Sequence, residues 1–171
     1  MPFDRGRGHV ALRRGRFSQP QATYFLTLCT VDRKTGLNAP PVASSIRHEI
    51  DSMTADHTWR MRCMVIMPDH VHVVARLGNR LSLGQTIQRL KAKTSLALKT
   101  GGLAWARAFF DRKLRPDDAL GPIFLYVHLN PYRAGLLART ERWPHFSCDP
   151  EDWEWFRPQL DHDIPPPEWL A

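Results

Sequence analysis

Hydrophobic and polar positions alternate along this chain with two different periods. Apolar and β-branched runs with a period near two predict four strands, at 24–30, 61–67, 70–77 and 108–114. Apolar residues at intervals of three and four predict three helices, at 40–56, 82–99 and 122–130. This order of elements predicts an α+β fold, a ferredoxin-like antiparallel sheet with helices on one face and the other face free for chemistry.

Local signals place the helix ends. Pro40 and Pro41 open the first helix, Ser82 is an N-cap for the second, and Pro131 is expected to stop the third. Gly121 and Pro122 argue against an earlier start for that third helix.

The two ends of the chain differ from its middle. Residues 1–20 are rich in Arg and Gly and lack hydrophobic periodicity, which predicts an extended or partly disordered basic arm. Residues 148–171 are acidic and rich in Pro and Trp, and we expect a tail packed over the domain. The sequence therefore predicts an arm at 1–20, one domain at 21–147 and a tail at 148–171.

The charge balance favours a polyanionic partner. The formal net charge is +7 and the pI is near 9.8. Two basic runs stand out, and each alone is more often a solvated face than a binding site. Together with the net charge they favour nucleic acid, so the candidate DNA-binding residues are Arg5, Arg7, Arg13, Arg14, Arg16, Arg89, Lys91 and Lys93.

Cysteine usage and hydropathy restrict the compartment. Cys29, Cys63 and Cys148 are odd in number and lie at no metal-ligand spacing, so we expect neither a disulfide framework nor a zinc knuckle. No stretch has the length of a membrane span, and the N-terminus lacks the apolar region of a signal peptide. We therefore expect a cytoplasmic protein without a membrane partner.

The most informative pair of residues is His70 and His72, on the third predicted strand. Side chains alternate across a strand, so both imidazoles project from one face, about 7 Å apart along the strand. Such a pair can bind one divalent ion if a third ligand comes from elsewhere. The spacing alone is weak, since it also occurs in core strands and in unrelated hydrolases.

Tyr126 and Asn130 form a second pair, four residues apart on one face of the last predicted helix. The ordinary interpretation is an amphipathic core tyrosine and a C-terminal asparagine cap. If this helix lies against the histidine face, the phenolic oxygen can attack a phosphodiester beside a divalent ion held by two imidazoles and an amide. Mg²⁺ or Mn²⁺ would suit that site, with imidazole ligands favouring Mn²⁺.

The segments Met67-Pro-Asp-His-Val-His-Val-Val74 and Tyr126-Val-His-Leu-Asn-Pro-Tyr-Arg-Ala-Gly-Leu136 resemble those of the REP-associated tyrosine transposases, single-tyrosine members of the HUH endonuclease fold. Shorter segments between and after these two motifs also resemble the family, and the resemblance runs from about Tyr24 to Ser147. It implies a DNA endonuclease and strand transferase, with Tyr126 as nucleophile and His70, His72 and Asn130 as metal ligands. It also implies a 5′-phosphotyrosine intermediate on single-stranded or hairpin DNA, with the arm and the basic helix as DNA contacts.

Some features leave alternatives open. Pro116 and Gly121-Pro122 interrupt the lead into the tyrosine helix, and Tyr132 follows Pro131 and is expected to leave its face. The rivals are a domesticated repeat-binding protein that nicks without transposing, a nucleic-acid-binding module without catalysis, and a metal hydrolase that adds Asp69 or Asp111 to the histidines. The sequence leaves monomer and homodimer equally open.

Overall fold

A computed structural model describes residues 18–171 and shows an antiparallel sheet. The strands of the described part are β1 (Thr23–Cys29), β2 (Trp59–Ile66), β3 (His70–Leu77), β4 (Phe110–Lys113) and β5 (Phe146–Cys148). Its α-helices are α1 (Pro40–Ala55), α2 (Leu83–Thr100), α3 (Leu120–Arg133) and α4 (Pro150–Phe156). The sheet order is β4-β1-β3-β2-β5, which confirms the predicted α+β fold with an antiparallel sheet.

The two helices α1 and α2 lie on one face of the sheet and enclose the larger hydrophobic core. Leu26 and Leu28 of β1 pack there with Ile46 and Ile50 of α1, all fully buried. Ser82 caps α2 as expected, in a capping box in which its Oγ accepts from the Gln85 N–H at 3.2 Å and its own N–H donates to Gln85 Oε1 at 2.9 Å. These elements follow the hydrophobic periodicity of the sequence closely.

The opposite face carries α3 and α4. A second core there joins Val65 of β2 and Val74 of β3 to Phe124 of α3 and Phe156 of α4. The prediction of helices on one face is therefore right for α1 and α2 only. The face that we expected to stay free is partly covered, because α3 is apolar enough to bury its own stripe against the sheet.

Helix α3 is longer than predicted at both ends. Pro122 lies in its first turn, where backbone N–H groups have no helical partner and a proline is tolerated. The helix also runs through Pro131 to Arg133, so the predicted stop at Pro131 is wrong. Pro131 removes one donor, but the next turn is still closed by the Ala134 N–H, which donates to the Asn130 carbonyl at 3.0 Å. Tyr132 consequently stays within the helix and is buried, in contrast to our expectation.

The C-terminal residues pack on the sheet. β5 pairs with β2, and α4 begins at the N-cap Asp149. Arg60 of β2 is ion-paired with Asp149 at 2.8 Å and with Glu151 at 2.7 Å. Residues on both sides of position 147 thus contact β2. The division of the chain at that position stays a prediction.

Two smaller expectations concern cysteines and membranes. All three cysteines are free, and Cys63 and Cys148 lie opposite each other in neighbouring strands without forming a disulfide. Within residues 18–171, none of the helices combines the length and apolarity needed to cross a bilayer.

Candidate functional site

His70 and His72 project together from the face of β3 that α3 covers. Their side chains are largely buried, with 9% and 5% of each residue exposed. The two Nε2 atoms lie 3.1 Å apart. The structure therefore brings both imidazoles to one point, as the alternation of side chains along a strand requires.

Hydrogen bonds at the far side of each ring orient the imidazoles. His70 Nδ1 lies 2.7 Å from Asp69 Oδ1, and an ionised carboxylate can only accept, so this nitrogen carries the proton. His72 Nδ1 lies 2.9 Å from Thr27 Oγ1, a hydroxyl oxygen that can accept a hydrogen bond from a protonated Nδ1. With both Nδ1 atoms protonated, the two Nε2 atoms present lone pairs to each other, and a shared cation would satisfy them.

The separation of the two Nε2 atoms fits one divalent ion. Two ligands at right angles with bonds of about 2.1 Å are about 3.0 Å apart. Burial is the main reason why the pKa of His70 lies below its usual value, and burial together with the neighbouring His70 lowers the pKa of His72 to about 3. Both rings are therefore neutral and able to act as ligands near neutral pH.

Asn130 supplies a third donor from α3. Its side chain is within hydrogen-bonding reach of His70. Its Nδ2 donates to the carbonyl of Tyr126 at 3.4 Å, which leaves the amide oxygen as the acceptor on the histidine side. The side-chain amide of Asn130 thus lies beside the two imidazoles, and imidazole nitrogens with an amide oxygen are a donor set that divalent ions accept.

The carboxylates of the rival hydrolase are placed elsewhere. Asp69 lies against Nδ1 of His70, on the side of the ring away from His72. Asp111 pairs with Leu26 across the β1–β4 ladder, so it faces the α1 and α2 side of the sheet. Among residues 18–171, no group of three His, Cys, Asp or Glu side chains could hold a metal ion. This arrangement disfavours a metal hydrolase that uses either aspartate.

Tyr126 lies at the entrance to the two histidines. Its ring centroid is 5.4 Å from that of His72 and 5.9 Å from that of Phe25. The residue is 46% exposed, so solvent or a substrate can reach the phenol. The condition set by the sequence, that the tyrosine helix lie against the histidine face, is met.

The candidate DNA-binding residues of α2 lie on the other side of the sheet. Arg89 is ion-paired with Glu49 at 2.8 Å and with Asp56 at 2.6 Å. Lys91 Nζ donates to the carbonyl of Ala106 at 2.8 Å, whereas Lys93 is exposed. The structure does not bring these residues to the histidine face, and their role in DNA binding stays a prediction.

The arm residues Arg5, Arg7, Arg13, Arg14 and Arg16 lie outside the residues that the structure describes. Their predicted contact with DNA likewise stays a prediction.

Sequence reasoning missed a supporting set around the histidines. Arg33 Nε is 2.8 Å from Asp69 Oδ2, and so holds the carboxylate that orients His70. Phe25 stacks on His72 with ring centroids 5.2 Å apart. Alternation in β1 does put Phe25 and Thr27 on one face, but only the pairing of β1 with β3 shows that this face is the one with the histidines.

Solved structures with a similar fold include a REP-associated tyrosine transposase bound to a REP hairpin. That structure aligns with a TM-score of 0.65 at 20% identity and covers 77% of this chain and 79% of the other. A candidate transposase from Deinococcus radiodurans R1 aligns with a TM-score of 0.47 at 17% identity over 66% and 87% of the two chains. A bacterial tRNA(His) guanylyltransferase-like protein in complex with GTP gives 0.46 at 11% identity over 87% and 93%. Among curated proteins, none matches this chain.

The family comparison covers most of the sheet. Residues 18–113 match the family described as "Transposase IS200 like". The matched part contains His70 and His72 together with Asp69 and Thr27, and it ends before the helix that carries Tyr126. Because the match extends over more than half of its 171 residues, the chain belongs to the IS200-like transposase family.

Proposed function

We propose that this transposase is a metal-dependent, single-strand-specific DNA nuclease and strand transferase with Tyr126 as its nucleophile. One observation carries the proposal: an accessible phenol lies beside two buried neutral imidazoles whose Nε2 atoms are 3.1 Å apart. The proposed product is a 5′-phosphotyrosine and a free 3′-OH.

The reaction would be a transesterification. The phenolic oxygen of Tyr126 forms a bond to phosphorus, and the bond from phosphorus to the 3′ oxygen breaks. The phenol gives its proton to solvent, and solvent protonates the departing 3′ oxygen. One ester is exchanged for another, so the energy of the bond is retained and no nucleotide cofactor is required. The exposed position of Tyr126 leaves room for the strand that must approach it in line.

His70, His72 and Asn130 would hold the divalent ion. All three donors are neutral, so a bound ion keeps its full double charge. When bound, Mg²⁺ or Mn²⁺ would polarise a non-bridging oxygen of the attacked phosphate and offset its developing charge. The two imidazole ligands favour Mn²⁺ over Mg²⁺.

Asp69 and Thr27 would keep both rings in the tautomer that exposes Nε2. The stacking of Phe25 on His72 would limit rotation of that ring. These residues act on the histidines and not on the DNA.

The proposed substrate is single-stranded or hairpin DNA. The net charge of +7 supports a polyanionic substrate, and the similar transposase structure contains a REP hairpin. We keep the basic arm and Lys93 as proposed contacts with the phosphate backbone of the DNA. We keep Arg89 and Lys91 as well, although their side chains already bind internal acceptors. Three free thiols fit a reducing compartment, and the cytoplasm is the proposed site of action.

The test compares the protein with Tyr126→Phe and with Tyr132→Phe, a matched control on the same helix. Each would be incubated with an end-labelled hairpin oligonucleotide and Mn²⁺ or Mg²⁺, then resolved on a denaturing gel. We expect a protein-linked band from the wild type and from Tyr132→Phe, and none from Tyr126→Phe or after chelation of the metal.

Other outcomes identify the rivals. Cleavage without a linked band that persists in Tyr126→Phe would indicate a metal hydrolase and overturn the proposal. Binding without cleavage under any metal would indicate a nucleic-acid-binding module. A linked band without joining to a second strand would indicate a nicking protein that does not transpose.

A further inference from the structure

The histidine face of the sheet continues beyond the proposed catalytic site. Alternate residues of β3 share a face, so Arg76 lies on the same face as His72, about 13 Å further along the strand. At that end of the sheet lies a cleft of about 600 Å³. We call it the basic cleft, after its cationic lining of Arg60, Arg62, Arg76, Lys113 and Arg115.

Two of these cations are neutralised within the protein. Arg60 pairs with Asp149 and Glu151, and Arg62 donates to Asp152 through Nε at 2.9 Å. Their role in the cleft is structural, since they anchor α4 to the sheet.

Two others bind only neutral acceptors among the contacts formed by the described residues. Arg76 Nε donates to the carbonyl of Gln21 at 3.1 Å, and Lys113 Nζ donates to Gln19 Oε1 at 2.9 Å. Both side chains are exposed, and within residues 18–171 neither of them forms an ion pair with a carboxylate.

The fifth cation, Arg115, is also exposed. The carboxylate that lines the cleft, Asp118, accepts from the Arg115 backbone N–H at 2.8 Å and is 3.6 Å from Arg112. The cleft therefore offers several cationic donors to an anion and one carboxylate that is already engaged.

An aromatic and basic surface joins the basic cleft to Tyr126. Across the β1–β4 ladder, Phe110 lies opposite Thr27 and Arg112 lies opposite Phe25, so both project from the histidine face. Phe110 is 48% exposed, although it is a large apolar side chain. Exposed aromatic rings alternating with cations are the usual surface for unpaired bases and their phosphates.

As a refinement that rests on the proposed function, we propose that the basic cleft binds the phosphates of the single-stranded DNA next to the phosphate attacked by Tyr126. Phe110 would stack on a base of the same segment. The distance between His72 and Arg76 can be covered by a few nucleotides. A duplex fits less well, because its bases are paired and cannot stack on Phe110.

The experiment measures the affinity of labelled hairpins by fluorescence anisotropy over a range of salt concentrations. One hairpin has blunt ends, and two others carry a single-stranded extension on the 5′ or the 3′ side. The variants are Arg76→Ala/Arg115→Ala and Phe110→Ala. The matched control is Lys99→Ala, an exposed cation on α2 at the other face of the sheet.

For the wild type we expect an extension on at least one side to improve affinity about tenfold or more. Arg76→Ala/Arg115→Ala should lose most of that gain, and its salt dependence should fall by about 0.7 in slope for each phosphate contact removed. Phe110→Ala should lose about tenfold on the extended hairpin and nothing on the blunt one. Lys99→Ala should keep the gain.

Two results would overturn the proposal. In the first, Arg76→Ala/Arg115→Ala and Phe110→Ala both bind the extended hairpins as the wild type does. In the second, both lose affinity equally for blunt and extended hairpins. Because Phe110 is exposed, its variant tests the idea even if the double variant does not fold. The linked-band assay separates this inference from the proposed function. Cleft-dependent binding without a linked band would refute tyrosine transfer alone, whereas a linked band with unaltered affinity would refute the cleft alone.

Discussion

The two faces of the sheet differ in the kinds of side chain that they bury. The face under α1 and α2 is a continuous apolar core, with Leu26, Ile46 and Ile50 fully buried. The face under α3 and α4 combines a smaller apolar core with two buried imidazoles and the ion-paired arginines of β2. One face thus consists mainly of apolar core, while the other holds the proposed catalytic residues, so substitutions on the two faces should affect different measurements.

The largest expected effect is on the histidine face, in His72→Ala. Loss of one of the proposed ligands should lower the rate of linked-band formation at least about 10³-fold, because polarisation by a bound ion is worth several kcal/mol. Without added metal, His72→Ala should lower the melting temperature less than a core substitution does. The reason is that it removes the repulsion between the facing Nε2 lone pairs of His70 and His72. A linked band formed at the wild-type rate would refute the proposed ligand set.

The counterpart on the other face is Leu26→Ala. Leu26 is fully buried, so the substitution should lower the free energy of unfolding by about 3 to 5 kcal/mol, measured by urea denaturation. The linked-band rate per folded molecule should remain close to that of the wild type. If this rate fell as steeply as in His72→Ala, the assignment of stability to one face and of catalysis to the other would be wrong.

A smaller effect should come from Asp69→Asn, which changes the group that orients His70. An amide holds the imidazole less firmly than a carboxylate, so affinity for Mn²⁺ should fall about 10- to 100-fold. Isothermal titration with Mn²⁺ measures it. Asp32→Asn, at an exposed residue with φ +52 that asparagine tolerates, is the matched control and should bind Mn²⁺ normally.

The smallest effect concerns Asp56, on the α1 and α2 side. Hydrogen bonds from Thr58 and Arg89 lower the pKa of Asp56 from 3.8 to about 2. Stability from this carboxylate is thus present above pH 3.8 and is lost as the pH falls toward 2. The side chain is 38% exposed, so Asp56→Asn should cost less than about 1 kcal/mol at pH 7.

Urea denaturation at several pH values checks this last prediction. The difference between wild type and Asp56→Asn should shrink as the pH falls from 4 to 2. A difference that stays constant over this range would show that its origin is not the ionised carboxylate.

Prediction from the sequence succeeded where local patterns determine the structure. The strand at 70–77 has the predicted bounds, because a β-branched, largely apolar run that follows the Pro68-Asp69 turn defines it. The start of α2 follows from the N-cap Ser82. The common face of Tyr126 and Asn130 follows from helical periodicity alone.

What the sequence did not reveal depends on contacts between distant segments. Arg89 and Lys91 belong to the predicted DNA-binding run, and no local pattern indicated that Glu49, Asp56 and the carbonyl of Ala106 bind them within the protein. The packing of Asn130 beside His70 depends on how α3 docks on the sheet.

The C-terminal elements β5 and α4 are short. The carboxylates of the N-cap Asp149 and of Asp152 in α4 pair with Arg60 and Arg62, about ninety positions away along the chain. No local period could indicate this partnership.

The edges of the sheet have a consequence for self-association. An open edge strand offers unpaired N–H and C=O groups to other chains, and β2 would be such an edge, long and largely apolar. The three residues of β5 pair with Cys63, Met64 and Val65 and close that edge where it is most apolar. At the opposite edge β4 has four residues, of which Asp111, Arg112 and Lys113 are charged. Within residues 18–171, neither edge of the sheet therefore offers a long apolar strand onto which further copies could add, and strand-by-strand polymerisation is disfavoured at both edges.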